Sequence, residues 1–207
     1  MKRILTFAAL LIWCATLVTL RIERTRSASF FFLFWNLFLA AIPFVAAEVF
    51  ARSKWHLLRW PAFTVWLLFL PNAPYIVTDF VHLRARPPIP LWYDVLLLIS
   101  CAGTGLLLGY GSVMLVQRSI ARQWSARAGW AVAAFSLVLS AFGIYLGRFV
   151  RFNSWEVVTD PMPLFADIVQ RLTNPFAYPR TFAVTILYGV ALLLGYLGLH
   201  VLAEEKA

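Results

Sequence analysis

Charge is scarce in this chain: Asp, Glu, Lys and Arg make up 13% of its 207 residues, about half of the roughly 25% usual in soluble domains. With 62% apolar residues beside it, this scarcity excludes a water-soluble globule and leaves an integral membrane protein. Also lacking are an internal repeat, a low-complexity stretch and any polar segment long enough for an attached catalytic domain, so one integral membrane domain over residues 1–207 is expected. Without a repeat, an inverted-repeat transporter has lost its usual signature. Cysteine is limited to Cys14 and Cys101, both within apolar runs, where packed thiols are expected rather than a disulfide. Histidine is limited to His56, His82 and His200, too few and too dispersed to support a catalytic metal site, and neither metal nor cofactor is expected.

What is present is a series of apolar runs, over residues 4–20, 30–50, 57 to about 81, 91–116, 128–150 and 181–202. At about 1.5 Å per residue each spans, or nearly spans, a hydrocarbon core about 30 Å thick. Continuous runs mean helices, whereas barrel strands would alternate. The expected fold is all-α, a polytopic membrane helix bundle of about six transmembrane helices with a broken third helix. The first run follows Lys2-Arg3 like a secretory signal but lacks a small-x-small cleavage site, and Trp13 replaces the small residue a lipoprotein box needs before Cys14. It reads as an uncleaved first span, closed by Arg21, Arg24 and Arg26.

The net charge of +9 sits mostly in the short segments between runs, where anionic headgroups neutralise it. The lipid bilayer is therefore the expected partner and nucleic acid is not. If the first span begins inside, nine basic residues fall on each side, Lys206 among the inner ones. Setting aside Arg148 and Arg151 tips this count weakly toward cytoplasmic termini. Small residues recur four apart at Gly105 and Gly109, Ser136 and Ser140, Gly143 and Gly147, and Ala191 and Gly195. These ridges suit close packing within one bundle, a homodimer face being the alternative. Gly109-Tyr110-Gly111 is not a potassium filter, because Leu107 and Leu108 replace the Thr and Val of its carbonyl ladder.

Residues 71–83 break the apolar pattern. Pro71 and Pro74 should interrupt the third helix, and Asn72 is placed to cap a new one, with Pro74 in its first turn. At α-helical spacing Tyr75, Thr78, Asp79 and His82 form one polar stripe, opposite Ile76, Val77, Phe80 and Val81. Two placements fit. In one, a broken helix lies at membrane depth, covered by protein or a wet cavity, as at transporter binding sites. In the other, the span ends at Leu70 and an amphipathic helix follows in the interface.

A second polar block is Gly147-Arg148-Phe149-Val150-Arg151-Phe152-Asn153-Ser154-Trp155-Glu156. Arg148 and Arg151, three apart, should share a helix face with Tyr145, with Glu156 a turn or two later; taken alone, such arginines are snorkelling anchors. Odd-numbered spans run in one direction, so the ends of the third and fifth are expected on one side, bringing Asp79 and His82 to the level of Arg148 and Arg151. On that side Asp160-Pro161 starts a short helix, with Leu164, Phe165, Ile168, Val169 and Leu172 on one face and Asp167 and Arg171 off it. It reads as an interfacial roof over the cluster. The candidate ligand-binding residues are thus Asn72, Tyr75, Thr78, Asp79, His82, Arg148, Arg151, Asn153 and Glu156, with no catalytic residue assigned.

Together these two blocks, from Pro71 through Tyr75 to Leu83 and from Gly147 to Glu156, resemble the signature blocks of a bacterial family of about two hundred residues known as domain of unknown function thirteen-sixty-one. The resemblance extends over the chain by length and span layout. It implies a multi-pass protein of the bacterial inner membrane and supplies no substrate, cofactor or catalytic residue.

Three functions fit the residues. In the first, the cluster binds or transports a small polar or anionic solute, or a lipid headgroup: arginine offers a bidentate fork to carboxylate or phosphate, and Asp79 fixes that fork or accepts an ammonium. In the second, Asp79 and Arg148 or Arg151 form a buried ion pair that fixes helix register in a structural or assembly protein. In the third, a membrane-embedded enzyme uses Asp79 or His82 as general base on a lipid-linked substrate, with the arginines stabilising an anionic transition state.

Overall fold

A computed structural model describes residues 2–204; Met1, Glu205, Lys206 and Ala207, and with them the Lys206 of the basic-residue count, lie outside the described residues. Among the described residues six helices are long and apolar enough to cross a membrane, and no strand forms. These spans, Arg3–Thr25, Phe32–Arg52, His56–His82, Leu91–Gln123, Ala126–Val150 and Pro179–Ala203, follow the six apolar runs closely, so the all-α polytopic bundle stands. The chain forms two compact units, Met1–Leu115 and Val116–Ala207.

The first unit contains α1 (Lys2–Thr25), α2 (Phe32–Arg52), α3 (His56–Phe69), α4 (Asn72–Tyr75), a 3₁₀ segment (Ile76–His82) and most of α5 (Leu91–Gln123). A ladder of polar contacts joins α1 to α5. Trp13 Nε1 donates to Ser100 Oγ (3.2 Å), Cys14 Sγ meets Thr104 Oγ1 (3.3 Å), and Tyr93 donates to the Leu17 carbonyl (2.8 Å). Residues 13 and 14 thus meet 100 and 104, whereas 17 and 21 meet 93 and 94, so the two helices run antiparallel. The ladder ends in a fork: Arg21 Nε and Nη2 donate to Asp94 Oδ1 and Oδ2 at 2.7 and 3.1 Å, with both side chains 1% exposed. The Phe30 ring lies 4.3 Å from the guanidinium. A bidentate, charge-assisted pair of this kind meets the pairing requirement of a buried charge.

The third span is broken as its prolines dictate, because neither Pro71 nor Pro74 can donate a backbone hydrogen bond. α2 packs along α3 and over the break. From the other side α5 presents Gly105 and Gly109. A Cβ at Gly105 would overlap the Ala73 carbonyl oxygen, and one at Gly109 would lie 3.1 Å from the Ala73 Cβ. The four-residue glycine spacing thus serves contact within the unit. Trp66 Nε1 donates to Ser112 Oγ (3.0 Å), which donates to the Gly109 carbonyl (2.7 Å), fastening α3 to the same helix.

The second unit holds the end of α5, then α6 (Ala126–Tyr145), a π turn (Leu146–Val150), α7 (Glu156–Thr159), α8 (Pro161–Thr173) and α9 (Pro179–Glu204). Ser125 caps α6, its Oγ accepting from the Ala128 amide at 3.1 Å, one of the orphan donors of a helix start. Antiparallel packing of α6 on α9 sets Gly189 against Val138 and Ala141 and Trp130 against His200, ring centres 4.7 Å apart and planes tilted by 46°. The Tyr196 hydroxyl bonds the Gln117 side chain.

Two outcomes test this packing. Gly105→Ala should destabilise the protein by roughly 1–3 kcal/mol, because backbone must move. Gly103→Ala, where a Cβ meets nothing within 4 Å, should stay within about 1 kcal/mol of wild type. Unfolding in detergent micelles measures both. Asp94→Ala should cost about 3–5 kcal/mol by stranding Arg21, whereas the apolar double variant Arg21→Met/Asp94→Leu should recover most of the loss; the same unfolding assay, run as a double-mutant cycle, checks this.

Candidate functional site

Around the break lie Asn72, Tyr75, Thr78, Asp79 and His82. Asn72 does not cap α4, whose N-cap position is Pro71; its Nδ2 donates back to the Phe69 carbonyl at 3.0 Å, tying off the last turn of α3. Residues 76–82 wind as a 3₁₀ helix, and this alters the expected stripe. At three residues per turn, 76, 79 and 82 align. Ile76 and Asp79 are accordingly buried together while Val81 faces outward, so polar and apolar faces do not separate as α-helical spacing predicts. Thr78 turns its hydroxyl onto the Tyr75 carbonyl (2.7 Å), an i−3 bond that suits the tighter winding. Tyr75 is half-buried.

Asp79 is 1% exposed. Its Oδ2 accepts from Asn36 Nδ2 at 2.8 Å, a bond that docks α2 onto the 3₁₀ segment. His82 packs its ring on Phe32 in the first turn of α2, centres 5.1 Å apart. Asn36 is absent from the sequence-derived set, although it is the one carboxamide in the apolar stretch 30–50 and such a residue needs a partner in lipid. An apolar groove of about 600 Å³ lies toward the other end of α2, lined by Phe7, Leu11, Phe44, Val45 and Leu108, with Glu48 and Arg52 paired at 2.6 Å. Apart from that pair, its walls offer mainly hydrocarbon contact.

Asp79 and His82 belong to the first unit, Arg148 and Arg151 to the second. There the expectation of a shared helix face fails. Arg148 lies in the π turn, where the backbone widens to i→i+5 bonding and the α-helical spacing no longer applies. Arg151 has left the helix: it is exposed, with left-handed backbone at φ 72°, and Phe152 N bonds the Leu146 carbonyl at 3.1 Å to close the turn. Asn153 and Glu156 bond each other. Glu156 Oε2 accepts from the Asn153 backbone amide (2.9 Å) and Oε1 from Nδ2 (3.0 Å), while the Glu156 amide donates to the Asn153 carbonyl (3.1 Å), closing the turn before α7. Donation from the Asn153 side chain, then from its backbone, holds the Glu156 carboxyl below its ordinary value.

In the interfacial helix the expected apolar face is split: α8 buries Leu164 together with Arg171 and turns Phe165, Val169 and Leu172 outward. Arg171, 9% exposed, forks onto Asp167 at 2.6 and 2.8 Å and donates from Nη1 to the Tyr145 hydroxyl (2.9 Å) and Thr181 Oγ1 (3.1 Å). Its guanidinium also lies over the Tyr178 ring at 4.7 Å. The Asp167 carboxylate raises the Arg171 pKa further, so this cation is permanent. The split follows from those partners: a buried guanidinium needs acceptors, and beside Asp167 on α8 itself they are hydroxyls at the ends of α6 and α9. Among the described residues no three His, Cys, Asp or Glu side chains converge as metal ligands.

The Asn153–Glu156 pair carries a pH signature. Because the folded pKa of Glu156 is lowered from 4.5, its contribution to stability is complete above that value and is lost as pH falls through the lowered one. Asn153→Ala removes the larger of the two donors and keeps the backbone amide, so a carboxyl-carbon NMR titration of glutamate-labelled protein should show the Glu156 midpoint move up toward its ordinary value.

No curated protein and no solved structure matches this chain. A family described as protein of unknown function (DUF1361) matches residues 35–194, a stretch that contains the broken third span, the π turn and α8, and the chain belongs to that family.

Proposed function

We propose that this multi-pass membrane protein binds a small polar, anionic or zwitterionic molecule, free or as a lipid headgroup, at the break in its third span, in the inner membrane of a bacterium. The observation that carries the reading is Asp79: a buried carboxylate, held by Asn36, on irregular backbone inside a candidate membrane span. Ionisable groups in such surroundings are costly, and binding or transport sites are where the cost is met. The first unit already has a fold-fixing ion pair in Arg21 and Asp94, so a second charged anchor at the break is not needed for register. In this reading Asp79 receives an ammonium or hydroxyl proton of the ligand, with Asn72, Tyr75, Thr78 and His82 around it. In the second unit, Arg148 and Arg151 are the anion-binding candidates by the fork geometry of guanidinium, and Asn153 and Glu156 shape the turn after them.

A structural reading is favoured by one observation, the Asn36–Asp79 bond, which by itself docks α2. One experiment separates the two. Thermal unfolding of purified protein is followed with phosphoethanolamine and glycerol phosphate as free probes, and with phosphatidylethanolamine and phosphatidylglycerol micelles as headgroup probes. A probe at about a hundred times its Kd should stabilise wild type by about 2.7 kcal/mol and leave Asp79→Asn unchanged. With the anionic probes, a shift that survives in Asp79→Asn and is lost in Arg148→Ala or Arg151→Ala would assign a separate anion site to the second unit. If no probe stabilises wild type while Asn36→Ala and Asp79→Asn both lower its unfolding temperature, the cluster is structural and binding is rejected.

A further inference from the structure

We infer that α8 is a membrane-surface helix that sinks one apolar flank into the headgroup–acyl boundary of the bilayer while its charged side is folded onto the protein. This is independent of the ligand proposed above and rests on the second unit alone.

At about 100° per residue, α8 divides into three arcs. Leu164, Asp167, Ile168 and Arg171 face the protein, Leu164 and Arg171 buried and the other two half-buried. Phe165, Val169 and Leu172, between 52% and 59% exposed, form the next arc with Met162. Gln170 and Thr173, also exposed, form the third. A helix resting on a water-soluble body needs two arcs, one apolar and buried, one polar and wet. Three arcs, with the apolar one outward between protein and polar sides, fit a helix that meets protein, lipid and water at once.

The level of α8 is set by its attachments. The span before it ends at Val150 and the span after it begins at Pro179; residues 174–178 alone join α8 to the latter, a reach of at most about 18 Å. Arg171 shortens that further by bonding directly to Thr181 in the first turn of the last span and to Tyr145 at the end of α6. The large outward apolar residues of α9 start at Ile186 and Leu187, on a helix long and apolar enough to cross a membrane, and Phe176 in the connecting segment is 97% exposed. Charge agrees as well: Arg151 and Arg180, in the segments entering and leaving this region, are exposed and complement headgroup phosphates. The partner is therefore the lipid surface and not a second protein.

Depth measurement tests this. In a Cys14→Ala/Cys101→Ala background, nitroxide labels are placed at Phe165→Cys, Val169→Cys, Leu172→Cys and Gln170→Cys, and the protein is reconstituted in phosphatidylethanolamine–phosphatidylglycerol vesicles. The first three labels should be relaxed more by oxygen than by a water-soluble nickel chelate, and Gln170→Cys the reverse. Equal nickel access at all four would overturn the inference by placing the face in water, and exclusion of both relaxants from the first three would overturn it by placing protein there. Should the cysteine-free background not fold, the native-cysteine chain in lipid nanodiscs gives the same contrast. Val169→Glu should lower the unfolding temperature by several degrees and Gln170→Glu should leave it unchanged; equal shifts would count against insertion.

Discussion

An interrupted helix inside a bilayer is permissible only if something other than lipid covers its exposed backbone, and the first unit is organised around that requirement. Pro71 and Pro74 create the interruption. Gly105 and Gly109 answer it by letting α5 approach until the Ala73 carbonyl lies where a side chain would otherwise be, while Asn72 returns to the loose end of α3 and α2 closes the other side. Only because the backbone is covered in this way can Asp79 sit buried just beyond it and be held by Asn36.

The second unit solves a similar problem by a different route. Its irregularity is the π turn at Leu146–Val150, followed by a left-handed Arg151, and both lie where the chain leaves the last turn of a span. The buried cation here is Arg171, whose fork is held by Asp167 on the same helix, while its two hydroxyl partners and its aromatic neighbours fasten α8 to the span ends. In each unit a buried guanidinium thus bonds groups on another helix, and those bonds fix the elements that carry them.

Spans and break were legible in the sequence because both are local: long apolar runs define the first and proline chemistry the second. Contacts that depend on a distant partner were not. Arg21 reads as an ordinary charge at the end of a span, and Asp94 as a lone acid near the start of another; nothing local pairs them. Asn36 was overlooked for the same reason. The stripe at Tyr75, Thr78, Asp79 and His82 was mis-phased because a helical wheel presumes 3.6 residues per turn, whereas this segment winds at about three. For α8 the helix itself is legible, but the burial of Arg171, which reads as lying off the apolar face, is not. A wheel shows which residues share a face and is silent on whether protein or lipid lies opposite.

The fork between Arg21 and Asp94 also orders events in time. The two residues are 73 positions apart, so at synthesis rates of about 5–20 residues per second Arg21 precedes its only acidic partner in this fork by roughly 4–15 s. During that interval the end of the first span cannot bury its guanidinium without a severe desolvation penalty, and the headgroup layer is where it can wait. The hairpin of α2 and α3 can close meanwhile, since their contacts are near in sequence. Docking of α1 is thus deferred until the fourth span has emerged, and a chain stalled before Asp94 would leave its first helix loosely seated and accessible to membrane quality control.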